Sequence, residues 1–129
     1  MRYFLDTHVL LWWRSDDPRL PHRWDNVLGN TEDNDIIFSI ASLWEIAIKR
    51  ALGKLDLEIS VSDFGQQLQE DHGFLPVAIE PTALDRLTTL PHHHGDPFDR
   101  LLIAQALETG ATAVTNDRNW KKYRCKVQW

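Results

Sequence analysis

The chain predicts an α/β fold built on a mostly parallel sheet with helices on both faces. Two observations carry this. Short apolar or β-rich runs alternate with runs of helical period along the whole chain, and no linker, internal repeat or low-complexity tract interrupts them. Two of the short runs, RYFL and ATAVTN, each end directly at an aspartate, Asp6 and Asp117. A length of 129 residues suits one domain, so 1–129 reads as a single unit.

Taken in order, residues 2–5 (RYFL) read as a short strand and 7–14 (THVLLWWR) as an apolar helix. Asp16, Asp17 and Pro18 form a turn, and 19–30 reads as a helix. Residues 35–38 (DIIF) read as a buried strand. Ser39 to Ala51 has helical period and stops before Gly53, a good terminator. Residues 61–72 read as an amphipathic helix ending before Gly73. Residues 74–79 (FLPVAI) read as a strand that its proline assigns to the sheet edge. A short helix over 80–89 follows, then a strong one over 97–109 closed by Gly110. Residues 111–116 are a strand, and 126–128 a last short one.

Composition narrows the function classes. Hydrophobic residues make up 43% of the chain and six are tryptophan, which a disordered chain would lack. Trp12, Trp13 and Trp44 lie in apolar helical runs, and read as core or as partner surface. The single cysteine, Cys125, excludes an intrachain disulfide and fits a reducing cytoplasm. No apolar run is long enough to span a bilayer, and the start, MRYFLDTH, is too short in apolar residues for a signal peptide. A net charge of −5, taken alone, argues against a nucleic-acid partner. A carboxylate site lowers net charge by itself, however, and Arg118, Lys121, Lys122, Arg124 and Lys126 crowd one segment, either as a solvated face or as a phosphate-contacting patch.

In open α/β sheets ligands sit beyond the carboxyl ends of the strands. Asp6 and Asp117 emerge there if their strands run parallel. Glu45, in the helix after DIIF, and Asp99, in the first turn of the helix opening at Asp96-Pro97, can reach the same edge. Four carboxylates in one pocket repel one another unless a cation lies between them, and a hard cation such as Mg²⁺ or Mn²⁺ suits oxygen ligands. Such a centre activates water against a phosphodiester. Each acid also has a plainer explanation. Asp6 and Asp117 can cap helices, Asp99 suits a helix start, and Glu45 can pair with Lys49 one turn on. Thr7, Ser42, Thr115 and Asp96 are candidate supports. Lys49 and Arg100 are candidate phosphate contacts with structural alternatives. His92-His93-His94 matches no zinc-ligand spacing and reads as a polar loop near the site.

Four segments, RYFLDTHVLLWW, SIASLWEIAIK, LPHHHGDPFDRLLIAQA and AVTNDRNW, occur in this order and together resemble the PIN-domain toxins of the VapC type, in the branch that carries HHxDPFDR. The resemblance runs from Met1 to about Trp120. It implies a three-layer α/β/α PIN fold and a Mg²⁺- or Mn²⁺-dependent endoribonuclease acting on RNA. It also implies a type II toxin–antitoxin pair, a homodimer, and an antitoxin whose C-terminal segment fills the groove beside the acids. The family's four acids fall on Asp6, Glu45, Asp99 and Asp117, with Asp96 in support. Arg14 stands in a run that is often apolar in similar sequences. Residues 56–75 and those after Trp120 carry little family signal.

Three other functions compete. A phosphatase of the haloacid dehalogenase type also has an aspartate after its first strand, but needs a second acid where this chain has His8. A catalytically silent PIN-fold interaction module would not need all four acids. An RNA binder using the basic segment predicts salt-sensitive binding without cleavage.

Overall fold

In the computed structural model, which describes residues 1–129, β1 (Arg2–Leu5) is the middle strand of a five-stranded sheet. Tyr3, Phe4 and Leu5 are all buried, as in a strand covered on both faces. The other elements are α1 (Thr7–Ser15), α2 (Arg23–Leu28), β2 (Asp35–Ser39), α3 (Ile40–Ala51), α4 (Val61–Glu70), β3 (Leu75–Val77), α5 (Pro81–Thr89), α6 (Pro97–Thr109), β4 (Thr112–Val114), a 3₁₀ segment (Arg118–Tyr123) and β5 (Val127–Gln128). The strand order is β3-β2-β1-β4-β5, and every pairing is parallel.

Strand alternation divides the apolar residues between two cores. Tyr3, Leu5, Ile36, Phe38 and Val114 point to one side, where Val9 and Leu10 of α1, Trp24 and Leu28 of α2, and Phe64 and Leu68 of α4 cover them. Phe4, Ile37 and Ala113 point to the other, beneath Leu102, Ile103 and Ala106 of α6. Two cores on one sheet make three layers, the expected α/β/α arrangement. Each fully buried Leu, Ile or Phe adds roughly 1.5–3 kcal/mol relative to exposure.

The differences from the sequence reading have physical causes. The helix expected over 19–30 contracts to Arg23–Leu28. Pro21 lies before it and supplies only a carbonyl, which accepts from the Trp24 N–H. The strand with the proline is indeed at the edge, with Pro76 opposite Phe38. The 3₁₀ segment is unanticipated, although Trp120 and Tyr123 are buried three residues apart, the repeat of a 3₁₀ turn. Trp12 is buried and Trp13 half-buried, but Trp44 is 55% exposed. Helix α3 buries Ala41, Ser42, Glu45 and Ile46, which turns Trp44 outward and Glu45 inward. Gly110 takes φ 65° as it ends α6, a left-handed conformation that favours glycine.

The topology also locates a crevice. From β1 the chain moves outward to β2 and β3, then crosses to the other side of β1 as β4. The reversal lies between the carboxyl ends of β1 and β4, where open sheets bind ligands.

Candidate functional site

Asp6 lies in that crevice. Its N–H donates to the Val114 carbonyl, which extends the β1–β4 ladder by one residue. It stands at the N-terminus of α1 but its side chain makes no capping hydrogen bond. The carboxylate instead accepts from the Thr115 hydroxyl at 2.8 Å and is 4% exposed. The capping explanation therefore fails for Asp6. Burial pushes its carboxyl above the usual range, and the charge of Glu45 adds to this against the opposing Thr115 hydrogen bond and His8.

Glu45 is 3% exposed, so its ion pair with Lys49 (2.7 Å) is no ordinary surface pair. Its other oxygen accepts from the Thr7 hydroxyl at 2.8 Å, and Ser42 lies 2.9 Å from that same hydroxyl. Thr7, Ser42 and Lys49 thus all hold Glu45 in place. Burial works against the Lys49 ammonium, but the hydrogen bond and charge of Glu45, with Asp96 and Asp99 behind it, raise its pKa.

The DPFD sequence divides two tasks. Asp96 caps α6, accepting from the Phe98 N–H (2.8 Å) and more weakly from that of Asp99 (3.4 Å). The Asp99 side chain is not needed for that cap and turns to His94, whose Nε2 lies 3.0 Å from it and 2.8 Å from Asp117. Asp117 also caps the 3₁₀ segment through the Asn119 N–H, so it caps and joins the acidic cluster at once. Burial raises Asp99 to about 7, with the charges of Asp6, Asp96 and Glu45 adding and His94 opposing.

His94 is the residue the sequence reading left in a polar loop. The Asp96 N–H donates to its Nδ1 at 3.0 Å, so the ring proton is on Nε2, aimed at the two carboxylates. In this arrangement His94 cannot offer Nε2 as a metal ligand; it holds Asp99 and Asp117 together by hydrogen bonding. The DPFDR segment with its histidines carried the available signal, but the spacing gave no role.

Arg100 is engaged structurally. Its guanidinium donates to the carbonyls of Pro91, Leu87 and Leu90 and to the Tyr123 hydroxyl. That hydroxyl oxygen also accepts from the His93 and His94 N–H groups at 2.8 and 2.7 Å. A buried phenol thus ties the histidine loop to the 3₁₀ segment. Tyr123→Phe leaves these donors unpaired and should lower stability by about 1–3 kcal/mol, read from the urea midpoint.

The donor set fits a hard divalent cation. Beyond burial, the charge of Glu45 raises the carboxyl of Asp6, and those of Asp6, Asp96 and Glu45 raise that of Asp99, the cost expected where anions gather without a counter-charge. Oxygens of Asp99 and Asp117 converge on one point, 3.0 and 2.8 Å from the His94 Nε2, and oxygen donors are the kind a hard cation takes. The cysteine is excluded: Cys125 is buried in the second core, and burial raises its thiol to about 11.

Comparison with known proteins agrees with this architecture. The sequence profile of the PIN domain matches residues 3–125. The chain is 31% identical over 121 residues to Ribonuclease VapC22 of Mycobacterium tuberculosis, covering 93% of this chain and 90% of that protein. Among solved structures it superposes on VapBC2 of Rickettsia felis, bound to a DNA fragment from its promoter, with a TM-score of 0.73 at 16% identity, covering 99% and 98% of the two chains. VapBC-1 of nontypeable Haemophilus influenzae gives 0.67 at 18% identity, covering 99% and 97%. These two structures speak for the fold. The profile and the mycobacterial relative go further: the chain belongs to the PIN-domain family, as a ribonuclease of the VapC type.

Proposed function

We propose that this protein is a Mg²⁺- or Mn²⁺-dependent endoribonuclease, the toxin of a type II toxin–antitoxin pair, working as one domain over 1–129 in the cytoplasm. The observation that carries the catalytic part is Asp6: a buried carboxylate that declines to cap its own helix and shares charge with Asp99 and Glu45 at the sheet's switch point. No helix is long and apolar enough to cross a membrane.

Asp6, Asp99 and Asp117 would hold the cation, with Glu45 adjoining them. When bound, the cation lowers the pKa of a water and offsets negative charge on the departing oxygen. Thr115 fixes the rotamer of Asp6, and Thr7 with Lys49 fixes Glu45. His94 keeps Asp99 and Asp117 facing each other. Glu45 lies within charge range of Asp6 and Asp99, and its carboxylate would add to the negative field that holds the cation. Lys49 stays beside Glu45 and can approach a phosphate only by leaving that pair.

An antitoxin and a second copy of the chain are the proposed protein partners. Trp44, 55% exposed and edge-on to Phe98 at 4.9 Å, with Ile40 40% exposed, forms an apolar surface beside the acids that supports such contacts. An antitoxin arginine entering the crevice would pair with the carboxylates there.

Incubation with total cellular RNA tests the activity. Cuts at a few sites are expected with Mg²⁺ or Mn²⁺ and none with EDTA. Cleavage that persists in EDTA would refute the metal mechanism, and absence of cleavage with either ion would favour a silent interaction module.

A further inference from the structure

We propose that a cavity beside Asp117 seats one base of the RNA strand next to the scissile phosphate; this rests on the ribonuclease function proposed above. The cavity measures about 190 Å³, and its walls include Asn116, Asp117, Arg118, Lys121 and Trp129. Sites that enclose a drug-sized ligand run to roughly 300–1,000 Å³. This one suits a single ring system, with the sugar and phosphates outside. Asp117 belongs both to its wall and to the carboxylate group, and Thr115, which donates to Asp6, lines it too, so the cavity adjoins that group.

Its chemistry matches a nucleotide. Arg118, Lys121, Lys122, Arg124 and Lys126 are all exposed, and none of them takes part in an ion pair. On a chain of net charge −5, five cations left unpaired in nine residues are not neutralising the protein's own acids. They supply a local positive field for phosphates flanking the cut. Trp129 supplies the π surface. Trp12 holds its ring at 5.9 Å between centroids and 61° between planes, so little order remains to be gained on binding. Asn116 is exposed at the rim and carries both a donor and an acceptor for a base edge. Aromatic stacking accepts any base, and an amide at the rim adds preference among them.

The test is a titration of ¹⁵N-labelled protein with the four ribonucleoside 5′-monophosphates in Mg²⁺, with ribose 5-phosphate as the control that lacks a base. The Trp129 indole N–H resonance, assigned with Trp129→Phe, should move with the nucleotides and stay in place with the sugar phosphate. Trp129→Ala should weaken nucleotide binding about tenfold. Lys121→Ala, a change at an exposed position, should weaken both nucleotide and sugar phosphate. On RNA that the parent cleaves, Trp129→Ala should raise KM about tenfold while kcat stays within about twofold. Equal binding of ribose 5-phosphate and nucleotides, or an unmoved Trp129 resonance, would overturn the proposal. The titration requires no cleavage, so a failure of the ribonuclease function would appear in the RNA assay alone.

Discussion

Asp6→Asn should reduce RNA cleavage by on the order of 10³-fold or more while leaving the metal-free fold at least as stable as the parent. The two effects share one cause. Asp6 is 4% exposed and its ionised form is disfavoured by burial and by Glu45. Asparagine removes that buried charge with little change of shape and can still accept from Thr115. Counter-charge at a reacting phosphate contributes several kcal/mol, and each ~1.4 kcal/mol is tenfold in rate, which gives the expected loss. Single-turnover cleavage and thermal melting in EDTA measure the two sides. A variant that keeps cleavage within tenfold of the parent would remove Asp6 from the centre. A variant that melts well below the parent would show Asp6 to be a structural residue.

The second large effect concerns pH. The carboxyl of Asp99 titrates near 7 in the folded protein against 3.8 as the ordinary value, and that of Asp6 is raised as well. Between about 4 and 7 the folded state therefore binds more protons than the unfolded chain, so metal-free stability falls as pH rises through that window. The destabilisation is absent below the ordinary value and complete above the folded one. Subtracting an Asp99→Asn titration isolates this contribution from the other acids: the parent should lose stability with rising pH more steeply than the variant. Mg²⁺ or Mn²⁺ offsets the same repulsion, so it should raise the parent's Tm by several degrees near pH 8 and by much less near pH 5. An equal increment at both pH values would separate ion binding from these carboxylates.

Much of the fold was legible because its signals are local. Alternating runs gave the order of elements, Pro76 gave the edge strand, and Gly110 gave the end of α6. The 3₁₀ segment and the contracted α2 were not legible as boundaries, since short elements depend on which side chains find a core, and that is settled by the whole sheet. At the candidate site the sequence supplied the acids and their supports by type and position. It could not choose between cap and site for Asp6, because both place a carboxylate at a helix start; only the direction of the side chain toward Thr115 distinguishes them. The role of His94 within its loop was not legible for a related reason. Its place between Asp99 and Asp117 depends on the Asp96 N–H and the Tyr123 hydroxyl, which lie on different elements. For Trp44 the sequence left core and surface open, because an apolar helical run does not itself say which face points inward.

The pairing of β1 with β4 has a consequence for how the protein is made. Asp6 and Thr115 are 109 residues apart in the chain and 2.8 Å apart in the fold. During synthesis Asp6 waits for more than a hundred further residues before its partner strand arrives. A nascent chain, or one truncated before Thr112, carries Asp6, Glu45 and Asp99 but has no β4 to close the crevice beside them. Closure of the crevice around Asp6 therefore waits until β4 has been made, however early the other acids are in place.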